Sequence, residues 1–189
     1  MPLIIGIVGK KQVGKNTVAD FLMEKYPNAM PFAFGDKLKQ IISYSLELNL
    51  ACMQDPALKE VPLIAYQKHT PRQIMQQVGD CLKIFDPDIF TWPLLDLAAK
   101  YPDDLIIITD VRFPAEAKII NELGGSLVRV CRKSLITQDK HISEQACARI
   151  TTDYVVENNG TIQQLKASCD NVLAALIKDC DKKTNKHAI

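Results

Sequence analysis

The stretch LIIGIVGKKQVGKNTVADFLMEKY, Leu3 to Tyr26, decides the fold. Its first six residues, Leu3 to Val8, are apolar and rich in β-branched side chains, the pattern of a strand buried in a parallel sheet. KNTVADFLMEKY carries Val18, Phe21, Leu22 and Tyr26 at helical spacing and reads as an amphipathic helix. Between them, GKKQVGKNT (Gly9 to Thr17) fits the phosphate-binding pattern G-x-x-x-x-G-K-[ST] except at its last position. Asn16 stands where a hydroxyl residue holds magnesium, and Thr17 follows one residue later. Gly9 and Gly14 let the backbone turn with its N–H groups inward, and the helix N-terminus adds partial positive charge. Lys15 reaches the β- and γ-phosphates, and Lys10 and Val13 complete the loop expected to wrap the nucleotide. Two glycines and a lysine at fixed offsets also arise by chance, so the flanking strand and helix supply the specificity.

Outward from this unit, strands and helices alternate. NAMPFAFGD (Asn28 to Asp36) predicts a second short strand, and KLKQIISYSLEL a helix with Leu38, Ile41, Ile42 and Leu46 inward and Asp36 as its N-cap. Asn49 to Lys68 has several prolines and no clear period, which predicts loop with at most a short helix. TPRQIMQQVGD (Thr70 to Asp80) opens with Thr and Pro in the order of a helix start. DPDIFTWPLLDLAAKY predicts a further helix, begun or interrupted at Pro93. DDLIIITD (Asp103 to Asp110) is the strongest strand signal in the chain. PAEAKIINELGG follows as a helix from Pro114 to a glycine cap at Gly124. SLVRVC is a strand, Arg132 to Ser143 a polar stretch, TDYVVENNG a last strand and turn, and TIQQLKASCDNVLAALIKD a long closing helix before a solvated tail. This alternation predicts an α/β fold of the P-loop NTPase kind, with a mainly parallel central sheet of about five strands flanked by helices. Ligands of such folds sit at the carboxyl ends of the strands, where the candidate residues below also fall.

The 189 residues suit a single domain with a sizeable core, and 47% apolar and 24% charged residues are ordinary for a soluble globular protein. A net charge of +1 gives no broad electrostatic case for binding nucleic acid or a membrane surface. No apolar run approaches a membrane span, and MPLIIGIVG lacks a signal-peptide pattern. None of the six cysteines forms C-x-x-C and no Cys/His spacing suggests zinc, so free thiols in a reducing cytoplasm are expected. His69, His141 and His187 are scattered. G-x-S-x-G, H-E-x-x-H, the N-K-x-D stretch of guanine-specific switch proteins and an LSGGQ-type transporter signature are all absent.

Asp110, at the end of LIIITD, can hold magnesium directly or through water opposite the loop; the plainer alternative is a turn or helix-capping aspartate. Arg112, two residues on, can reach a phosphoryl group through paired hydrogen bonds, or else make a surface ion pair. Arg129, Arg132 and Lys133 form a basic cluster before HISEQ, suited to a loop that closes over triphosphate, or simply a solvated charge run. Phosphoryl transfer needs positioning and charge more than a covalent nucleophile, and these residues suit it.

GKKQVGKNTVADFL, FAFGDKLK, TPRQIMQQVGD, IITDVRFPAEAKIINELGG, HISEQ and DYVVENNGTIQQL come in this order over roughly residues 3–178. Together they resemble the P-loop deoxynucleoside monophosphate kinases of bacteriophage type. The resemblance implies transfer of the γ-phosphate of ATP to a deoxynucleoside monophosphate, with Mg2+ held largely by water and phosphate near Asn16 and Asp110. GKNT is similar to the GK-x-T of adenylate-kinase-like enzymes, which would put Thr17 on the α-phosphate. Gly9, Gly14, Lys15, Asn16 and Thr17 would hold ATP. Asp36 and Lys37 would lie near the acceptor monophosphate, and Arg72, Gln76 and Asp80, on one helix face, would meet the acceptor base; a plain amphipathic surface helix is the alternative. Arg112 and Arg132 would touch phosphates, with Lys15, Arg112, Arg132 and Asp110 as the catalytic set. Asn158, Asn159 and Gly160 would lie beside the adenine. Glu144 receives no firm role.

The resemblance implies a single domain over residues 1–189, with an acceptor-binding insertion near 36–100 and a lid near 132–148. The partner is a small-molecule nucleotide, with no nucleic acid and no membrane, and a homodimer is compatible with the sequence. Two other readings stay open at this point: another small-molecule P-loop kinase such as a phosphomevalonate kinase, and a nucleotide-binding module without turnover, which Asn16 keeps alive. A motor or nucleic-acid remodeller needs a basic surface that this near-neutral chain does not carry.

Overall fold

The computed structural model describes the backbone of residues 2–133 and 142–186, with side chains up to 133 and from 145 to 178. Two compact units emerge: the described parts of Met1–Ala33 and Leu97–Ile189 in one, and Phe34–Asp96 in the other.

The first unit is built on a parallel sheet of five strands: β1 (Leu3–Val8), β2 (Met30–Phe32), β3 (Leu105–Val111), β4 (Ser126–Cys131) and β5 (Tyr154–Glu157), in the order β2-β3-β1-β4-β5. Ile4, Ile5, Ile7 and Val8 of β1 are buried, as are Ile106, Ile107 and Ile108 of β3, so these central strands read as continuous apolar runs rather than alternating ones. Helices α1 (Lys15–Lys25), α6 (Pro114–Glu122) and α8 (Ile162–Lys186) belong to this unit. Val18, Ala19 and Leu22 of α1 share a core with Ile5, Ile7, Ile107 and Val130 of the sheet and Leu165, Cys169, Leu173 and Leu176 of α8. Gly124, in the left-handed region at φ 74°, ends α6 as its glycine predicts. Where the polar stretch before Ser143 predicts no element, α7 (Ile142–Ala148) forms a short helix.

Register places the site. Val8 of β1 pairs with Val111 of β3 and with Arg129 of β4, and Cys131 of β4 pairs with Glu157 of β5. Gly9, Arg112, Arg132 and Asn158 therefore all leave the sheet at one carboxyl edge. The β1–β3 ladder also slips: Gly6 faces Ile108 but Val8 faces Val111. The extra residue on β3 is a bulge that lets Thr109 and Asp110 both lie half-exposed before Val111 returns to the core.

The second unit contains α2 (Gly35–Ser45), α3 (Ala51–Gln54), 3-10 turns at Leu58–Glu60 and Ile64–Tyr66, and α4 (Pro71–Phe85). Its core is Ile42, Met53 and Ile74, with Leu38, Leu46 and Tyr66 packed against it. Thr70 caps α4 as expected: its hydroxyl accepts the N–H of Gln73, whose side chain in turn accepts the N–H of Thr70. α5 (Trp92–Lys100) begins in this unit and ends in the first.

Two local expectations are corrected. The second strand spans only Met30–Phe32, because the chain has already turned into α2 at Gly35. Asp36 consequently lies inside the first turn of α2 rather than at its cap, and its carboxylate accepts from Lys39 Nζ at 2.7 Å. The stretch from Asn49 to Lys68 is, as expected, loop with a short helix, α3, together with two 3-10 turns. No helix among the described residues is long and apolar enough to cross a membrane.

Candidate active site

Gly9 leaves β1 buried, and a Cβ there would meet the Val130 carbonyl oxygen at 2.8 Å and Val13 Cγ2 at 2.9 Å. Gly14 caps α1 at φ 100° and ψ 24°, a conformation that L side chains rarely adopt. α1 has neither a side-chain N-cap nor an acid in its first turn, so no residue of its own offsets the positive end of the helix. Lys15 Nζ donates to Gly9 O at 2.7 Å and to Lys10 O at 2.8 Å. The loop thus folds around the lysine ammonium. Asn16 is exposed, and Thr17 is half-buried one position on.

Asp110 is the penultimate residue of β3, and Arg112 follows in the turn to α6. This turn is held by a residue the sequence reading missed. Glu116, only 6% exposed, accepts the N–H of Arg112 at 2.7 Å and of Phe113 at 2.9 Å through Oε2. A carboxylate taking backbone N–H groups at a helix N-terminus is a strong anchor, and this one fixes the backbone that presents Arg112. Pro114 at the first helical position with Glu two residues later was the available signal, since that is half of a capping box.

On the other side of β1, Asn158 donates from its own N–H to Cys131 O at 2.7 Å and from Nδ2 to Val13 O of the loop at 2.9 Å. Expected beside the adenine, its side chain is engaged with the glycine loop. Asn159 accepts the N–H of Lys133 at 2.7 Å and donates to Glu157 at 3.0 Å. Gly160 leads into α8, where Thr161 and Gln164 exchange capping hydrogen bonds. Arg132 is exposed just past β4. Arg129 has another occupation than phosphate. Its guanidinium donates to the carbonyls of Cys147 and Ile150, satisfying the C-terminal end of α7. His141 and the side chain of Glu144 lie outside the described residues, as does much of the expected lid.

The acceptor-side candidates belong to the second unit. Asp36 and Lys37 are exposed in the first turn of α2. Arg72, Gln76 and Asp80 follow one another on α4, and Arg72 Nε donates to Glu60 at 2.7 Å.

Among the described residues no three His, Cys, Asp or Glu side chains group to hold a metal. Magnesium bound to a nucleotide keeps several waters and needs only one or two protein oxygens, and Asn16, exposed after the loop lysine, and Asp110, half-exposed near the end of β3, each carry an oxygen of that kind. Cys169 is buried, and desolvation pushes its thiol up to about 11, away from nucleophilic use.

A glycine loop closed around a lysine, at the carboxyl edge of a parallel sheet and the start of a helix, defines a P-loop α/β fold of the kinase kind. The chain matches the fold of dephospho-CoA kinase from Campylobacter jejuni over 95% of its own length and 99% of that chain, with a TM-score of 0.53 at 14% identity. Residues 50–169 match the family model for deoxynucleotide monophosphate kinase. A protein of Acanthamoeba polyphaga mimivirus, provisionally named a deoxynucleotide monophosphate kinase, is 32% identical over 86% of this chain and 91% of its own length. The deoxynucleotide monophosphate kinase of Enterobacteria phage T4 is 22% identical over 92% of this chain and 99% of its own. The chain belongs to the deoxynucleotide monophosphate kinase family.

Proposed function

We propose that this chain transfers the γ-phosphoryl group of ATP to a deoxynucleoside monophosphate, giving the diphosphate for deoxynucleotide supply in the cytoplasm of a host cell. The observation that carries this reading is Lys15 Nζ, held within 2.8 Å of two carbonyls of its own glycine loop at the start of α1. An entering phosphate offers that ammonium a charged acceptor in place of neutral ones, a stronger bond by roughly a factor of two.

In this reading Gly9, Lys10, Val13, Gly14, Asn16 and Thr17 wrap the ATP phosphates, with Thr17 on the α-phosphate. Lys15 bridges the β- and γ-phosphates and stabilises the charge that spreads over the transferring group. Magnesium, when bound, neutralises phosphate charge beside Asn16 and Asp110. Arg112, on the turn anchored by Glu116, and Arg132, at the base of a lid near 132–148, contact phosphates. Asn159 and Gly160 lie beside the adenine. The second unit corresponds to the acceptor-binding insertion, with Asp36 and Lys37 toward the monophosphate and Arg72, Gln76 and Asp80 toward its base. Binding two phosphorylated substrates in line reduces the reaction to positioning and electrostatics, so no covalent nucleophile is required.

The test is ADP release from ATP and Mg2+ over dTMP, dGMP, dCMP, dAMP, their ribose counterparts and phosphomevalonate. Turnover with one or more deoxynucleotides is expected. Turnover with phosphomevalonate alone refutes the acceptor class, and silence throughout with ATP still bound refutes catalysis.

A further inference from the structure

We propose that Asn158 is a positioning residue of the phosphate loop: its side-chain amide holds the Val13–Gly14 peptide so that the Gly14 N–H is aimed at the phosphate. Asn158 Nδ2 donates to Val13 O at 2.9 Å across 145 residues of sequence. The amide is itself held in place, because the Asn158 N–H is tied to Cys131 O at 2.7 Å at the end of β4, and β5, which Asn158 follows, pairs with β4. Val13 C=O and Gly14 N–H are the two ends of one planar trans peptide and point in opposite directions. Fixing the carbonyl toward Asn158 therefore fixes the N–H away from it.

The fit is reciprocal. A Cβ on Gly14 would lie 2.5 Å from Asn158 Nδ2, so the amide occupies the space that the missing side chain leaves. Residue chemistry at 158 is also specific. Only a donor suits the Val13 carbonyl. A carboxylate of the same shape would set oxygen against oxygen and bring negative charge to the phosphate loop. The turn after β5 thereby sets the shape of the loop after β1, in addition to any contact it makes with a base.

The inference rests on reading Gly9–Thr17 as a phosphate site, and the experiment separates the two. Affinities for Mg·ATP and for inorganic tripolyphosphate are measured by calorimetry on the full chain and on Asn158→Ala and Asn158→Asp, with KM for the acceptor and Tm of the free proteins. Asn158→Ala is expected to weaken ATP and tripolyphosphate by the same factor, about three- to tenfold, the worth of one net hydrogen bond. Asn158→Asp is expected to weaken both further, with acceptor KM unchanged and Tm within a few degrees. Weaker ATP with unchanged tripolyphosphate would assign Asn158 to the nucleoside and overturn the proposal. Unchanged affinities with a lowered Tm would make it a brace of the fold alone and overturn it equally. If the unaltered chain binds neither ligand, the phosphate-site reading itself fails, a result distinct from either of these.

Discussion

Gly14→Ala puts the loop geometry to a quantitative test. At φ 100° and ψ 24° an alanine is strained by about 1–3 kcal/mol. Its Cβ would also press to 2.5 Å of Asn158 Nδ2, so the amide must retreat and the bond to Val13 O is lost, about 0.5–1.5 kcal/mol net. Together this is about 1.5–4.5 kcal/mol. Gly14 caps a helix at the end of a loop, so the loop can relax in the free protein. The cost then reappears as a small population of the conformer that binds phosphate, and apparent affinity falls by that population, about 10- to 2,000-fold. Titration calorimetry of Mg·ATP reads the affinity, and thermal unfolding of the free proteins reads where the strain is stored. A Kd within threefold of the parent refutes the reasoning. So does a Tm lowered by about 5–15 °C at unchanged Kd, which would put the strain in the fold and not in binding. In an Asn158→Ala background the same substitution meets no amide and should cost less, a coupling read by a double-mutant cycle.

Three further outcomes are expected. Lys15→Ala should abolish ADP release while leaving the far-UV CD spectrum and Tm near those of the parent; near-normal turnover would remove Lys15 from the mechanism. Arg112→Ala should lower kcat/KM at least about tenfold through loss of a charge-assisted phosphate contact, and Glu116→Gln, which weakens the anchor of that turn, should lower it less and cost about 1–2 kcal/mol of stability. Unchanged kcat/KM in the arginine variant would make that side chain structural. The Cys169 thiol, at about 11, stays protonated at pH 8 while the exposed Cys81 is accessible, so iodoacetamide at that pH should label Cys81 and spare Cys169 until the chain is unfolded. Because this pKa is raised in the folded state, the stability linked to it is complete below the ordinary thiol value near 8.5 and falls as pH rises toward 11. Rapid labelling of Cys169 in the native protein would contradict its burial.

What could be read from the sequence was what is local. The β1–loop–α1 unit follows from a β-branched run, two glycines and a helical period in adjacent residues. The Thr70 cap follows from Thr-Pro and a Gln three residues on. Asp36 was misplaced because α2 starts at Gly35, one turn before the apolar period becomes visible, and propensity alone does not fix such a boundary. The short α7 was unreadable in a polar stretch, since part of what completes it is a guanidinium from β4 many residues earlier. The position of Asn158 against Val13 is likewise set by strand order: only β4 lying between β1 and β5 brings that turn to the loop. Glu116 is the instructive omission, because its spacing from Pro114 was legible and only its burial was not.

The two feet of the excursion between β4 and β5 are both tied down. Cys131 O accepts from Asn158, and the Ile150 carbonyl accepts from Arg129, a residue of β4 itself. For chain that leaves and returns to fastened points, closure entropy grows by only about 0.6 kcal/mol for each doubling of length. Insertions between β4 and α7 are therefore expected to cost folding little, whereas Cys147 of α7, buried and with its carbonyl taken by Arg129, is not open to the same freedom.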